Sequence, residues 1–386
     1  MKKIYIDGLG LVEGHFSGVG QYILGILKGM DEIVDQAKYT GKPYPEITVI
    51  IPRDMVAKFY SFGLRHLKHK TLPVSFRVLS ALWYRGLTPP IDLWCGQGTY
   101  LFPRFVDMRL AFSKSTLVVF DLSYEHYRQY SDEKNALFLS KGVRRSVANA
   151  QKVIAISQNA KREIEEFYGL KAGKVVVATP ATDPRLFYRR SDREIKDVKH
   201  KYEIEGDYVL SLSNLEPRKN VEVLIDAYCR LPKRITNKTA LLLVGVNGWK
   251  TEKLFKKIVK KVDAGYNIVR PAEYVRDQDK PAIISGAKVL VYPSHYEGFG
   301  MPPLEGLACG VPVITSNNSS LPEVVGNVGV MIDSTNRDEL YDKLLGQLTN
   351  NEKETQQVRL SGPERARQFS WVKSARVILD AMEADQ

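Results

Sequence analysis

The 386-residue sequence has few cysteines and no long apolar run, and these two shortages narrow the kinds of protein it can be. Its three cysteines show no metal-binding or disulfide spacing, and an odd number fits a reducing compartment. No stretch approaches the ~18 apolar residues that span a bilayer. Near the N-terminus, Lys2 and Lys3 are followed by Asp7 and Glu13, so no signal peptide is expected. These features predict a cytoplasmic protein.

The sequence also lacks the short motifs of several enzyme classes. It contains no HExxH, P-loop, EF-hand or Cys/His cluster, and it has no G-x-S-x-G motif of serine hydrolases. Asp277 and Asp279 form a D-x-D pair, a pattern that can bind metal. Because they stand where a helix is predicted to begin, we expect them to cap that helix. No catalytic metal and no cofactor are therefore expected.

Positive charge is in excess, with a formal net charge of +12, and it is unevenly distributed. Residues 1–190 contain 28 Lys+Arg and 17 Asp+Glu, whereas residues 191–386 contain 28 and 27. In the densest stretch, Lys58 to Arg85, basic residues alternate with aromatic and apolar ones. This mixture suits an anionic membrane surface, and the alternative is two amphipathic helices with solvated basic side chains. Nucleic acid is the competing partner, but no recognition motif for it is present.

Short apolar segments alternate with helical patterns along the whole chain, which is typical of parallel sheets covered by helices on both faces. We predict an α/β protein with two Rossmann-like doubly wound domains and a hinge near Pro184–Ser191. Strands are predicted at Lys3–Ile6, within Pro45–Pro52, and at Ile91–Cys95, Ser115–Phe120, Lys152–Ala155, Lys174–Ala178, Tyr208–Ser213, Ala240–Val244, Ile268–Val269, Val289–Tyr292, Pro312–Thr315 and Val330–Ile332. Helices are predicted from the Ser17–Tyr22 segment to about Met30, at Asn135–Asn149 and Asn159–Tyr168, near 220–230, 251–262, 278–285, 302–308 and 338–349, and from Ser370.

The most informative segment is EGFGMPPLE, from Glu297 to Glu305, which follows a predicted strand. Its glycine loop opens onto a helix with Pro in the first turn, where backbone N–H groups and the helix dipole favour an anion. The two glutamates can accept hydrogen bonds from hydroxyls. Amides for phosphate and carboxylates for sugar hydroxyls together suit a nucleotide-sugar. The alternative is a strand–helix turn with solvated glutamates.

Two further loops follow predicted strands. In LSNLEPRKN, Arg218 and Lys219 stand near a helix N-terminus, where the dipole disfavours cations, and this suggests an anion site. Two exposed basic residues are the alternative. Gly18-Val19-Gly20 supplies only half of the dinucleotide fingerprint, because Ile23 stands where its third glycine is expected. A Rossmann-type oxidoreductase or epimerase therefore lacks its motif.

The pattern E-G-F-G-x-P-x-x-E resembles the donor-site signature of retaining glycosyltransferases of family 4, which have the GT-B fold. The resemblance covers most of the chain and is strongest from Tyr208 to Ile332. It implies that Glu297 contacts hydroxyls of the donor sugar, that Glu305 holds the ribose, and that the intervening amides face the sugar and diphosphate. It also implies two domains facing an interdomain cleft: residues 1–188 with a C-terminal helix at 370–386, and residues 189–369.

The same resemblance assigns roles to other residues. Arg218 and Lys219 would neutralise the leaving diphosphate, although Ser213-Asn214 stands where many members have Gly-Arg. VVFDL resembles the strand-end HDL motif of the family, with Phe120 replacing a His that contacts the 6-hydroxyl of the sugar. A phenyl ring favours a 6-deoxy sugar or a pentose, and simple packing is the alternative. Asp121 is expected to orient the acceptor, and His126 could approach it.

These observations predict a metal-independent, retaining glycosyltransferase that moves a sugar from a nucleotide diphosphate to a glycan or lipid-linked glycan, in cell-surface polysaccharide synthesis. The expected donor is GDP-mannose or a 6-deoxy sugar nucleotide. A non-catalytic nucleotide-sugar sensor is a further alternative, but it would not need both phosphate cations. The predicted catalytic residues are Arg218, Lys219, Glu297 and Asp121; the donor-binding residues are Glu305, Gly298, Phe299, Gly300, Met301, Gly18, Gly20, Phe120, Gly245 and Tyr274; the acceptor-binding residues are Asp121 and His126.

Overall fold

The computed structural model describes residues 3–11, 18–130, 132–349 and 352–383, without the side chain of Tyr84. These residues form two compact units: Met1–Pro180 with Ser370–Gln386, and Ala181–Phe369. The sequence predicts the first boundary after residue 188, eight residues beyond Pro180, and the second boundary at residue 370. Because each unit has its own sheet and its own core, the two are described separately below.

The first unit is built on a parallel sheet of seven strands in the order β3-β2-β1-β4-β5-β6-β7. Most of its strands are apolar on both faces, as expected for a sheet covered by helices on each side. Its strands are β1 (Lys3–Asp7), β2 (Glu46–Pro52), β3 (Lys68–Leu72), β4 (Thr99–Phe102), β5 (Lys114–Val119), β6 (Lys152–Ala155) and β7 (Val175–Val177). Its helices are α1 (Gly18–Tyr39), α2 (Val56–Ser61), α3 (Phe76–Tyr84), α4 (Asp92–Cys95), α5 (Ser123–His126), α6 (Glu133–Asn149), α7 (Gln158–Tyr168) and the C-terminal α17 (Trp371–Glu383).

The C-terminal helix α17 packs against α1 through two glycines. A Cβ at Gly25 would lie 2.3 Å from the indole ring of Trp371, and one at Gly29 would lie 2.4 Å from the Trp371 carbonyl oxygen. The Ser374 hydroxyl also donates a hydrogen bond to the Thr179 carbonyl, just after β7. The glycines of α1 therefore bring α17 close enough to complete this unit.

The second unit contains a parallel sheet of six strands in the order β10-β9-β8-β11-β12-β13. Its strands are β8 (Asp207–Leu212), β9 (Thr239–Val244), β10 (Ile268–Val269), β11 (Val289–Tyr292), β12 (Val313–Ser316) and β13 (Val330–Ile332). Its helices are α8 (Asp192–Lys201), α9 (Val221–Arg230), α10 (Lys233–Thr236), α11 (Glu252–Asp263), α12 (Lys280–Ser285), α13 (Met301–Ala308), α14 (Leu321–Val325), α15 (Arg337–Thr349) and α16 (Glu352–Arg367). The predicted strand–helix alternation is thus confirmed in both units.

The predicted strand at Ile91–Cys95 is wrong. This segment forms the short helix α4, and the strand of the sheet is β4 at Thr99–Phe102. The carboxylate of Asp92 accepts hydrogen bonds from the backbone N–H groups of Phe112 and Ser113, at 2.8 and 2.9 Å. These bonds join the segment to the chain before β5 and replace sheet pairing.

The stretch Lys58–Arg85 contains two helical segments, as one alternative expected, but a strand that was not predicted separates them. It contains the end of α2, the strand β3 and the helix α3. Phe59, Leu72 and Leu79 are buried, so part of its apolar content belongs to the core rather than to an exposed helix face. Helix α1 also extends to Tyr39, beyond the predicted end near Met30. Among the described residues, no helix is long and apolar enough to cross a membrane.

Candidate active site

Two loops run side by side beyond the carboxyl ends of β8 and β9. The Leu215 N–H donates a hydrogen bond to the Val246 carbonyl at 2.9 Å, and the Gly248 N–H donates one to the Leu215 carbonyl at 2.8 Å. Gly245 makes this approach possible, because its φ is +153° and a Cβ there would lie 1.8 Å from the Ser213 carbonyl oxygen. The predicted donor residue Gly245 thus has a packing role in the structure: it sets the position of the loop that carries Arg218 and Lys219.

Arg218 and Lys219 lie in a 3-10 turn, Pro217–Lys219, just before α9. The Lys219 ammonium donates hydrogen bonds to Glu297 Oε1 at 2.7 Å and to the Tyr292 hydroxyl at 2.9 Å. The Arg218 guanidinium donates to Glu216 Oε1 at 3.0 Å and lies 3.5 Å from Glu297 Oε2. The structure therefore brings three of the predicted catalytic residues into one buried cluster.

The charges in this cluster set the ionisation of Glu297. Burial by itself raises the pKa of Glu297, but Lys219 and Arg218 outweigh burial and hold this pKa at about 2. Burial lowers the pKa of Lys219, while the neighbouring Glu297 opposes that decrease. Glu297 is thus a carboxylate throughout the neutral range, and it fixes both cations beside it.

The loop from Glu297 to Gly300 is held by the two serines that precede α14. The Glu297 N–H donates to the Ser319 hydroxyl at 3.0 Å, and the Ser320 hydroxyl lies 2.8 and 2.7 Å from the carbonyl oxygens of Glu297 and Phe299. Gly300, with φ of +116°, occupies the N-cap of α13. The loop is therefore fixed at the N-terminus of a helix, with Gly298 buried inside it and Met301 as the first residue of that helix.

The Phe299 side chain packs in the interior rather than toward a ligand site. It is buried, and its ring meets that of Phe369 edge to face, with centroids 5.4 Å apart. Any contact of Phe299 with a donor would thus come from its backbone.

Glu305, inside α13, has a raised pKa, in contrast to the lowered pKa of Glu297. Burial raises its pKa to about 7, with Lys280 opposing the increase and Asp277 adding to it. The Lys280 ammonium is paired with Asp277 at 2.6 Å. Glu305 therefore changes its charge near neutral pH.

The predicted capping role of Asp277 and Asp279 is wrong. Asp279 occupies the N-cap of α12, but its side chain makes no capping hydrogen bond there. It accepts instead from the Lys201 ammonium at 2.5 Å and from the Tyr202 hydroxyl at 2.7 Å. Both aspartates are therefore used in ion pairs. Within the described residues, no three His, Cys, Asp or Glu side chains come together as a metal-binding group.

Among the other predicted donor-binding residues, Tyr274 belongs to the second unit, and Gly18 and Gly20 belong to the first. Tyr274 is exposed, in the loop between β10 and α12. Gly18 and Gly20 belong to the first turn of α1 rather than to a glycine loop, and Ser17 lies outside the described residues. The structure thus places these two glycines at a helix N-terminus in the first unit.

Three predicted residues follow β5 in the first unit. Phe120 is buried, with its ring centroid 5.3 Å from that of Tyr22 and 5.2 Å from that of Phe105. Asp121 is half-buried and accepts a hydrogen bond from the Ser123 N–H at 2.9 Å. His126 is exposed on α5.

Sequence reasoning missed Glu216, Tyr292 and Ser320. Glu216 is buried and bonds Arg218, and its position three residues before Lys219 was a usable signal. Tyr292 ends β11 and reads as an ordinary strand residue, although its hydroxyl accepts from Lys219. Ser320 is distant in sequence from the loop it holds, and no local pattern reveals it.

Residues 192–362 match the model of the family described as Glycosyl transferases group 1. This part of the chain, which lies within the second unit, is therefore similar in sequence to that family. The matched range holds the whole cluster of Glu216, Arg218, Lys219 and Glu297, together with Glu305.

Two curated relatives of this chain are from Escherichia coli. The chain is 29% identical over 367 residues to "O-antigen chain mannosyltransferase B", covering 92% of this chain and 93% of the relative. It is 27% identical over 236 residues to "Serotype-specific mannosyltransferase WbdA", covering 60% of this chain but only 28% of that longer protein.

Comparison with solved structures shows that the chain has the GT-B fold. It superimposes on Anabaena Alr3699/HepE, solved with UDP and glucose, with a TM-score of 0.69 and 16% identity over the full length of both chains. It superimposes on WaaG, a glycosyltransferase involved in lipopolysaccharide biosynthesis, with a TM-score of 0.68 and 15% identity, covering 98% of this chain and 99% of the other. At such identities the similarity establishes the fold.

Proposed function

We propose that this protein is a retaining, metal-independent mannosyltransferase that acts in the assembly of a cell-surface polysaccharide. It transfers mannose from a nucleotide diphosphate donor to a hydroxyl of a glycan or lipid-linked glycan. The observation that carries the proposal is the buried cluster in which Lys219 and Arg218 are held by Glu297, beside the N-terminus of α13.

The cluster is suited to a leaving diphosphate. Two carboxylates, Glu216 and Glu297, balance two cations, Arg218 and Lys219, so the site carries no net formal charge before a donor binds. A diphosphate brings negative charge that the two cations can stabilise, together with backbone N–H groups of the glycine loop before α13, because Pro302 and Pro303 have no N–H in the first turn of that helix. Because the cations are already fixed by ion pairs, little reorganisation is needed as charge develops in the transition state.

The two glutamates would bind the neutral parts of the donor. Glu297 is a carboxylate at neutral pH and can accept hydrogen bonds from sugar hydroxyls while it keeps its contact with Lys219. Glu305 lies two turns further along α13 and would accept hydrogen bonds from the ribose diol. The similarity to the group 1 family and the earlier resemblance to family 4 both support these roles.

The donor sugar is proposed to be mannose rather than a 6-deoxy sugar. Curated relatives at 29% and 27% identity carry the name mannosyltransferase. Phe120, which suggested a 6-deoxy sugar, is packed between the rings of Tyr22 and Phe105, so core packing explains its apolar character. A competition experiment with GDP-mannose and a rhamnose nucleotide distinguishes the two donors. It measures how strongly each nucleotide inhibits the turnover of the other.

In the proposed reaction the bond between the anomeric carbon and the diphosphate oxygen breaks first, through a transition state similar to an oxocarbenium ion. The acceptor oxygen attacks the same face of the sugar, and its proton passes to the leaving phosphate oxygen. No protein nucleophile and no metal take part. Asp121 is proposed to orient the acceptor hydroxyl.

The experiment compares the turnover of GDP-mannose by the full-length protein and by its Lys219→Met variant. Turnover is measured as the release of GDP. Loss of the Lys219 ammonium should lower kcat by about 100-fold to 1000-fold, as for other removed transition-state donors. Lys288→Met is the matched control, because Lys288 precedes β11 at the opposite end of the same sheet and pairs with Asp207. Near-normal kcat in Lys219→Met would refute the role of this residue.

The product of the same reaction shows whether the configuration of the anomeric carbon is retained. NMR of the anomeric proton in the product should show the configuration of the donor, and an inverted product would contradict the proposed mechanism. The comparisons do not favour an oxidoreductase or epimerase. A non-catalytic sensor would bind the nucleotide-sugar without cleaving it, so no GDP would be formed.

A further inference from the structure

An exposed edge of the first unit combines apolar and basic side chains. Helix α4 leads into β4, and residues 109–113 lead into β5, the next strand of the sheet. The two segments are tied together, because the Asp92 carboxylate accepts from the Phe112 N–H at 2.8 Å and the Ile91 N–H donates to the Arg109 carbonyl at 3.0 Å. They therefore form one surface at the amino end of the sheet.

Large apolar side chains on this surface are open to solvent. Leu93 and Trp94 on α4 are 63% and 55% exposed, and Phe112 on the neighbouring segment is 72% exposed. Leu87, four residues before Ile91, is 63% exposed. Single exposed apolar residues are ordinary, but Leu93, Trp94 and Phe112 lie on two segments joined by hydrogen bonds, with Leu87 nearby in sequence, and such a group favours a partner.

The exposed charged residues of the stretch from residue 85 to residue 114 all have one sign. Between residues 85 and 114 the acidic residues are Asp92 and Asp107, and both are buried. Asp92 is used by backbone N–H groups, and Asp107 accepts from the Ser146 hydroxyl at 2.7 Å. The exposed charged residues of this stretch are all basic: Arg85, Arg109 and Lys114.

A groove of about 770 Å³ is lined in part by Leu110 and Ser113, two residues of the segment that carries Phe112. Arg109, Lys114 and Arg145 line it, and the acidic residue among its lining, Asp107, is within 3.3 Å of the Arg145 guanidinium. The groove shares the segment 109–114 with Phe112, so basic and apolar groups meet at a single place. A phosphate headgroup in the groove would leave acyl chains beside Phe112.

We propose that this amino-edge patch docks on an anionic phospholipid surface; its residues are Arg85, Leu87, Leu93, Trp94, Arg109, Phe112 and Lys114. The apolar and aromatic side chains would enter the interfacial layer, and the basic side chains would pair with phosphate groups. The composition of the sequence indicated the stretch Lys58–Arg85 as suited to an anionic membrane surface. Only Arg85 of that stretch belongs to this patch. The proposal goes beyond the proposed reaction, because docking requires neither donor nor acceptor.

The patch and the acceptor residues lie at opposite ends of β5. This strand runs from Lys114 to Val119, a length of about 20 Å at ~3.3 Å per residue. Asp121 follows its far end. A protein docked by the patch would thus hold Asp121 about 20 Å from the lipid headgroups, which suits a glycan acceptor with several sugars between the lipid and the reacting hydroxyl.

Sedimentation of the full-length protein with vesicles tests the docking. The protein should bind vesicles of phosphatidylcholine with phosphatidylglycerol, should bind poorly to phosphatidylcholine alone, and should be released by salt. Trp94→Ser with Phe112→Ser should weaken binding roughly tenfold or more, and Lys114→Gln about fivefold. Leu360→Ser is the matched control, because Leu360 is 76% exposed on α16 in the other unit.

Each result decides the proposal. Turnover of a water-soluble acceptor measured on the same variants should be unchanged, which separates docking from the reaction and shows that the variants are folded. Absence of binding to phosphatidylglycerol vesicles, or binding that the double substitution leaves intact, would overturn the proposal. A patch substitution that dissociates an oligomer in solution without changing vesicle binding would also overturn it, because the patch would then contact protein.

Discussion

Glu297 and Glu305 share one residue type, one loop–helix segment and a buried environment, yet their ionisation differs. The pKa of Glu297 is held at about 2 because Lys219 and Arg218 lie beside it. The pKa of Glu305 is raised to about 7 because burial dominates over the more distant Lys280. The segment therefore contains one permanent carboxylate, beside the cations, and one carboxyl group that titrates near neutral pH.

This contrast predicts opposite effects of the same substitution on stability. The folded-state pKa of Glu305 lies above its ordinary value of 4.5, so its ionisation costs the folded state stability as the pH rises from 4.5 to about 7. That rise corresponds to about 3 kcal/mol. Glu305→Gln removes this cost, so it should stabilise the protein at pH 8 and make little difference near pH 4.5.

Glu297→Gln should do the reverse. The depressed pKa of Glu297 gives stability that is present above pH 4.5 and lost as the pH falls toward 2. The variant also leaves Lys219 buried without its carboxylate, at a cost of about 3 kcal/mol or more at neutral pH. Denaturant unfolding of both variants between pH 4.5 and 8 measures the two signs, and a shift in the same direction for both would contradict the electrostatic description.

Residue roles were predictable from sequence only where a motif is local. Glu297, Glu305, Arg218 and Lys219 stand in two short segments, and all four lie in the second unit, where ion pairs join Arg218, Lys219 and Glu297. The opposite pKa values of the glutamates could not be predicted, because they depend on contacts across 78 residues of chain.

At the scale of elements, the site depends on how closely the loops after β8 and β9 approach each other. Gly245 permits this approach because it combines a φ of +153° with a position where a Cβ would meet the Ser213 carbonyl oxygen at 1.8 Å. The approach in turn fixes the loop that carries Arg218 and Lys219.

Gly245→Ala should therefore displace this loop. We expect a loss of stability of about 2 kcal/mol or more, from backbone strain and steric overlap, together with weaker binding of nucleoside diphosphate. Gly265→Ala is the matched control, since Gly265 has a φ of +81° but open space around its Cα, so only the strain of about 1 kcal/mol is expected. Thermal unfolding and calorimetry measure both effects, and equal nucleotide affinity in the two variants would contradict the role of Gly245.

Elements with a strong apolar signal were predicted well and those held by polar contacts were not. The strands Lys152–Ala155, Ile268–Val269, Val289–Tyr292 and Val330–Ile332 were predicted with the bounds that the structure shows. Strand β3 was missed because KHKTL is mostly polar and pairs with β2 through its backbone. Helix α4 was misread because the bonds of Asp92 to a distant segment decide its conformation.

At the scale of the whole molecule, the two-unit α/β architecture followed from the alternation of strands and helices, and it is the GT-B fold. The uneven charge of the sequence also has a structural counterpart, because the exposed charges between residues 85 and 114 are all basic. Sequence composition could not locate that surface, since the burial of Asp92 and Asp107 determines its charge.

The central claim is that Arg218 and Lys219 are placed to stabilise a diphosphate leaving group. Thermal-shift screening of UDP, GDP and TDP first identifies the base, and calorimetric titration then compares the diphosphate of that nucleoside with its monophosphate. The account predicts that the diphosphate binds at least about tenfold more tightly, because its second phosphate adds a charge-assisted contact, and that Lys219→Met removes most of this difference. Equal affinity for the two nucleotides, or no heat with any nucleoside diphosphate, would contradict it.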